Sequence, residues 1–90
     1  KTLKIEVETR DLNEVQEALI AGVDRIMLDN FTTMETRKAV ALIDHRAETE
    51  SSGGITKDTL VSYAECGVDY ISVGALTHQI KSIDMSLKAL

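Results

Sequence analysis

Apolar and polar residues alternate at the start of the chain. Leu3, Ile5 and Val7 are interleaved with Lys4, Glu6 and Glu8, a period of two that predicts a strand with one apolar and one polar face. Asp11, followed by Glu14, is a helix-opening pattern; Val15, Ala18 and Leu19 give that helix its apolar stripe, and Gly22 closes it. The short run Arg25-Ile26-Met27-Leu28 stops at Asp29-Asn30 and predicts a buried strand. Thr32 or Thr33 caps a second helix carrying Met34, Ala39, Val40, Leu42 and Ile43. A weaker strand is expected at residues 47–50, before Ser51-Ser52-Gly53-Gly54. Thr56 then caps a third helix with Leu60, Val61 and Ala64 inward and Gly67 at its end, and residues 70–73 read as a fourth strand. Renewed alternation at Ile83, Met85, Leu87 and Ala89 predicts a short fifth strand.

Ala21-Gly22-Val23-Asp24, ahead of the second strand, recurs as Cys66-Gly67-Val68-Asp69 ahead of the fourth. Repetition of strand–helix units, with helices of about ten residues between strands, predicts a parallel sheet with right-handed crossovers. The expected fold class is therefore α/β, with parallel βα units forming about half of a TIM-like barrel, and no linker or low-complexity stretch divides the chain.

Composition narrows the function. The chain has 90 residues, 10 Lys and Arg against 15 Asp and Glu, and a net charge of −5. A chain this short buries roughly 60–65% of its unfolded surface, so its core is marginal unless something else covers it. No apolar run approaches the roughly 20 residues of a membrane span, and the acidic balance with no basic cluster argues against nucleic acid. Cys66 is the single cysteine, which excludes an internal disulfide and fits a reducing cytoplasm. The start at Lys1, already strand-like, suggests part of something longer.

In parallel βα units, ligands sit at the C-terminal strand ends. Here those ends carry Glu8, Asp29, residues 50–54 and Gly74. By alternation one sheet face holds Lys4, Glu6, Glu8, Met27, Asp29, Glu48, Glu50, Ser52 and Ser72, with Lys4 as its expected cation. Such a face is either a half-solvated surface or a polar barrel interior leading to a ligand. Ser52-Gly53-Gly54 stands before a helix start, where free N–H groups favour phosphate, although a tight turn alone also needs glycine. Gly74 offers a second close approach, and His78 follows it. Glu8 and Asp29 could accept hydrogen bonds from ribose hydroxyls, hold Mg²⁺ or act in acid–base chemistry; they could equally be an exposed Glu and a turn Asp. His45, Cys66, Tyr63 and Tyr70 read as structural or packing residues.

Taken together, Ile5-Glu6-Val7-Glu8, Ile26-Met27-Leu28-Asp29-Asn30-Phe31, Glu50-Ser51-Ser52-Gly53-Gly54-Ile55 and Ile71-Ser72-Val73-Gly74-Ala75-Leu76-Thr77-His78 resemble the C-terminal part of the quinolinate phosphoribosyltransferase family, over essentially the whole chain. The resemblance implies a two-domain, dimeric enzyme with an N-terminal α/β sandwich and an incomplete α/β barrel. Residues 1–90 would be the C-terminal part of that barrel, with the N-terminal domain and first barrel strands absent. It also implies formation of nicotinate mononucleotide, CO₂ and pyrophosphate from quinolinate and phosphoribosyl pyrophosphate with Mg²⁺, in NAD biosynthesis. By the same resemblance, Glu8 and Asp29 lie at the ribose and metal side, where they are taken as catalytic, while Ser52, Gly53, Gly54 and Gly74 hold phosphate; His78, which follows the Gly74 turn, could reach that phosphate. The residues that grip the quinolinate carboxylates are not in this stretch, so these 90 residues alone are expected to be inactive, with the first and fourth strands as unpaired edges.

Two other readings remain: a non-catalytic, receiver-like βα module with Asp29 as phosphate acceptor, and a different phosphate-binding barrel enzyme. The Ser72-Val73-Gly74 strand end lacks the Lys that a receiver requires.

Overall fold

In the computed structural model, residues 4–73 and the backbone of residues 76–79 are described. Five strands and three helices follow in order: β1 (Glu6–Thr9), α1 (Leu12–Ala21), β2 (Arg25–Asp29), α2 (Thr33–Ile43), β3 (Glu48–Ser52), α3 (Lys57–Ala64), β4 (Tyr70–Val73) and β5 (Leu76–Gln79). The strands lie side by side in chain order; β1 to β4 are parallel, and β5 is antiparallel to β4.

Val15 and Ala18 of α1, Ala39 and Ile43 of α2 and Leu60 of α3 share one buried cluster with Ile26, Leu28 and Ile71 of the sheet. All three helices therefore cover one face of the sheet. Sequential strand order with one-sided helices is the arc of a barrel. A receiver-like module has strand order 2-1-3-4-5 and helices on both faces, so the fold does not support that reading. Among the described residues, no helix is long and apolar enough to cross a membrane.

Local signals place the helices. The Asp11 carboxylate accepts from the Glu14 amide at 2.8 Å, and Gly22 ends α1 in the left-handed region at φ +74°. Thr32 and Glu35 form a reciprocal capping box at the start of α2, and the Thr59 hydroxyl accepts from the Thr56 amide at the start of α3.

The repeated tetrapeptide has a structural purpose. Its Gly leaves the helix at positive φ (Gly22, Gly67), and its Val is buried in the core (Val23, Val68). Its Asp clasps the start of the neighbouring strand. Asp24 Oδ2 accepts from the Ile5 amide at 2.7 Å, and Asp69 Oδ2 accepts from the Thr49 amide at 3.0 Å.

Several expectations change. A strand not expected from the sequence forms at Leu76–Gln79, and the strand expected through Ile83, Met85, Leu87 and Ala89 lies outside the described residues. β4 is therefore not an unpaired edge: its N–H and C=O groups are a template that β5 fills, while β1 pairs only with β2 among the described residues. β3 runs on to Ser52, two residues beyond the expected end, because β2 supplies partners as far as Asp29. Met34 and Val61 face solvent instead of the core.

Carboxylate bonds to backbone amides contribute roughly 1.5–3 kcal/mol, less where solvent competes. Asp69→Ala is expected to destabilise the fold by about 2 kcal/mol and by more than Asp24→Ala, since the Asp69 clasp is partly buried and the Asp24 clasp exposed. Urea midpoints at unchanged m-value check this ordering.

Candidate functional site

Asp29 and Ser52 stand opposite each other at the ends of β2 and β3. The chain turns immediately beyond each. Asn30 adopts φ +60°, and its amide donates to the Ser52 carbonyl at 2.9 Å; the Ser52 hydroxyl donates to Asp29 Oδ1 at 3.4 Å. Gly53 and Gly54 follow at φ +88° and +70°. A Cβ on Gly53 would lie 2.7 Å from Asn30 Oδ1 and 2.8 Å from Asp29 Oδ1. The glycine is thus required twice, by its dihedral and by the approach of Asp29-Asn30. The two turns form one compact strand-end surface, with a carboxylate against an anion-competent glycine turn that leads into α3.

Glu8 sits on β1 opposite Met27. It shares a face with Asp29 but lies two residues back in the register, exposed at the open edge. An open cleft of about 320 Å³ borders it there, lined also by Val7, Glu14 and Glu17, and it is separate from the glycine turn.

Below the strand ends, the same face carries a polar network. Arg25 donates to Glu48 Oε1 at 3.2 Å and to Glu50 Oε1 at 3.4 Å, and its guanidinium lies 3.8 Å above the Tyr70 ring centroid. The Ser72 hydroxyl donates to Glu50 Oε2 at 2.5 Å, and the Tyr70 hydroxyl to Glu48 Oε2 at 3.4 Å. Glu50 is only 4% exposed, which Arg25 and Ser72 make tolerable. Burial is the largest single influence on Arg25 and works against its charge, but the hydrogen bond to Glu48 together with the charges of Tyr70, Glu48 and Glu6 outweighs it and raises its pKa. Partial burial and the neighbouring Glu50 charge push the Glu6 carboxyl above its ordinary range, with Arg25 pulling the other way.

The family model for the quinolinate phosphoribosyl transferase C-terminal domain matches residues 1–88. The chain belongs to this family. It is 48% identical to a probable carboxylating nicotinate-nucleotide pyrophosphorylase of Methanocaldococcus jannaschii, over 96% of this chain and 33% of that protein. It is 42% identical to a probable enzyme of the same name in Bacillus subtilis, over 94% of this chain and 29% of that protein. The crystal structure of nicotinate-nucleotide pyrophosphorylase from Francisella tularensis superposes with a TM-score of 0.78 at 39% identity, covering 82% of this chain and 27% of that one. The enzyme from Ehrlichia chaffeensis gives the same TM-score at 36% identity and the same coverage. The chain thus spans about a third or less of the length of these relatives.

Within this member of the quinolinate phosphoribosyltransferase family, the structure brings Asp29, Ser52, Gly53 and Gly54 together and sets Glu8 on the adjacent strand. Gly74 lies outside the described residues. His78 falls on β5, its backbone opposite Ile71, and not in a loop after β4. His45 is an exposed turn residue at φ +63°, and Cys66 is buried with its thiol raised in pKa by desolvation. Among the described residues, no three His, Cys, Asp or Glu side chains gather as a metal cluster.

Sequence reasoning missed Arg25 and misread Tyr70. Lys4 is not the face's lone cation, because Arg25 occupies the same alternating set as Met27 and Asp29 and meets two carboxylates. Counting back four residues from Asp29, two steps of the strand's alternation, would have found it. Tyr70 supplies a ring to Arg25 and a hydroxyl to Glu48 as well as packing.

Removing one member of a buried ion pair costs about 3–5 kcal/mol, whereas exposed pairs contribute roughly 0–1 kcal/mol. Arg25→Met is expected to destabilise the protein by about 3 kcal/mol, because Glu50 is left buried without its cation. Lys4→Met, whose 3.9 Å pair with Glu48 is exposed, should change stability by less than about 1 kcal/mol. Thermal unfolding of both variants at matched pH makes the comparison.

Proposed function

We propose that this chain is the C-terminal barrel portion of a carboxylating nicotinate-nucleotide pyrophosphorylase. The complete enzyme is a cytoplasmic, homodimeric phosphoribosyltransferase of NAD biosynthesis that joins quinolinate to phosphoribosyl pyrophosphate and releases CO₂ and pyrophosphate to give nicotinate mononucleotide. The observation that carries this reading is the contact between Asp29 and the Ser52-Gly53-Gly54 turn at neighbouring strand ends. A phosphoribosyl donor presents hydroxyls and phosphates on one small scaffold, and here an acceptor carboxylate lies beside backbone donors.

In this reading the N–H groups of residues 52–54, with Gly74 and His78, hold the phosphate. Asp29 and Glu8 accept from the ribose hydroxyls and orient the sugar. The Ser52 hydroxyl, opposite Asp29 in the register, donates to its carboxylate and fixes it. Mg²⁺ prefers oxygen ligands and commonly takes one or two carboxylates, with waters and substrate phosphates completing its shell. Asp29 beside the glycine turn and Glu8 on the adjacent strand are both carboxylates and fit that donor set, so they are the residues that would hold it. When bound, the ion neutralises phosphate charge. The N-terminal domain, the remaining strands and the basic residues that face the quinolinate carboxylates belong to the rest of the enzyme, and residues 1–90 by themselves do not complete the site.

Replacing Glu8 or Asp29 by Ala in the full-length enzyme is expected to reduce use of phosphoribosyl pyrophosphate about tenfold to hundredfold more than quinolinate binding, the effect of a lost hydrogen bond to a charged group, roughly 1.5–3 kcal/mol. Steady-state kinetics with each substrate varied in turn, alongside calorimetric quinolinate binding, measures this, and equal losses for both substrates would point to misfolding instead.

Sulfate soaked into crystals of that enzyme is expected at the amides of residues 52–54, near Gly74. The assignment fails if the ion sits elsewhere and Gly74→Val leaves anion binding intact.

A further inference from the structure

We propose that Tyr63, on the outer helix α3, is a positioning residue that locks the Asp29 turn onto the 52–54 turn, so that the carboxylate and the glycine turn are held as one unit. The inference rests on the proposed function and adds a residue that touches no substrate.

Residues 30–32 join β2 to α2 without regular structure of their own, yet each of them, and Asp29 and Thr33 on either side, is held. The Asp29 carboxylate accepts from the Ser52 hydroxyl at 3.4 Å, and the Asn30 amide donates to the Ser52 carbonyl at 2.9 Å. The Phe31 carbonyl accepts from the Tyr63 hydroxyl at 2.6 Å. The Thr32 amide donates to Glu35 at 2.9 Å, and the Thr33 carbonyl accepts from the Cys66 thiol at 3.4 Å. The Phe31 side chain is buried in the core at 3% exposure.

Of these ties, the one from Tyr63 has a particular geometry. α3 follows directly from the 52–54 turn, so its first end is fixed to the glycine turn by the chain itself. Tyr63 reaches back from the other end of the same helix to the carbonyl of Phe31, the residue after Asn30. Glycine turn, helix and Asp29 turn therefore close a ring. Asn30 sits in the left-handed region at φ +60°, which Asn visits more readily than other residues with side chains but still at a cost that its surroundings must offset. Half-buried tyrosines commonly place their hydroxyl on a partner, and this one chooses the single carbonyl between the strained residue and the helix cap.

The test uses the full-length enzyme and two variants, Tyr63→Phe and Ser62→Ala, the latter an exposed neighbour on the same helix. Hydrogen–deuterium exchange by mass spectrometry follows the peptide spanning residues 28–33, and calorimetry follows phosphoribosyl pyrophosphate and quinolinate separately. Tyr63→Phe is expected to speed exchange in that peptide about threefold to tenfold, the effect of one lost neutral hydrogen bond, and to weaken phosphoribosyl pyrophosphate binding by a similar factor with quinolinate unchanged. Ser62→Ala should leave the exchange as it is. Unchanged exchange at residues 28–33, or acceleration spread evenly over the whole barrel, overturns the proposal. A wild-type enzyme that does not bind phosphoribosyl pyrophosphate sinks the proposed function, while the local exchange still decides whether Tyr63 locks the turns.

Discussion

Asp29 and Ser52 finish neighbouring strands at the same height, and the Asn30 amide carries that registry past the end of the sheet by donating to the Ser52 carbonyl. Everything at the strand ends depends on this bond. It sets the left-handed Asn30 against Gly53, and that contact leaves no room for a Cβ on the glycine. The pairing of β2 with β3 is therefore the physical source of the candidate site. A slip of one residue would turn Asp29 into the helix-covered core and bring Leu28 to the polar face.

The charge pattern of that face follows a second constraint. Carboxylates from β1 and β3 crowd a sheet that is buried on its other side, and Arg25 on the intervening strand answers two of them while stacking on Tyr70. A planar guanidinium suits this place because it spreads one charge over two acceptors and presents a face to an aromatic ring. Both cations described on the face, Lys4 and Arg25, are already engaged with Glu48 or Glu50. Under the proposed function, a polyanionic substrate approaching the strand ends would meet N–H groups and carboxylates, and its remaining charge would be met from elsewhere in the enzyme.

Much of this was legible in the residues. Alternation at Ile5 and Val7, the capping patterns at Asp11 and Thr32, and Gly22 all act within a few positions of the chain, and local rules found them. The repeat ending in Asp24 and Asp69 was visible, but its reason was not, because each Asp bonds a strand some 20 residues away in sequence. Arg25 was hidden by standing at the head of a strand called apolar from Ile26, Met27 and Leu28. The antiparallel β5 was missed for a different cause: Leu76, Thr77, His78 and Gln79 carry no strong strand pattern, and what recruits them is the free edge of β4. Tyr63 gave no signal at all, since its partner is a carbonyl, which every residue has.

The two faces of the sheet also divide the cost of being polar. On the helix side Thr9, Thr49 and Ser51 are buried where Val or Ile would be ordinary. Thr9 returns its hydroxyl to the Met27 carbonyl at 2.8 Å, and Thr49 joins the Asp69 clasp at 3.4 Å, so both are compensated and both tie one strand or turn to another. The Ser51 hydroxyl is buried with no hydrogen-bond partner among the described residues. It lies between Leu28 and Ile71 in the register and one residue before Ser52. The uncompensated hydroxyl weakens the core by about 1–3 kcal/mol, a cost carried beside the site, where Gly53 and Asn30 already depart from ordinary backbone.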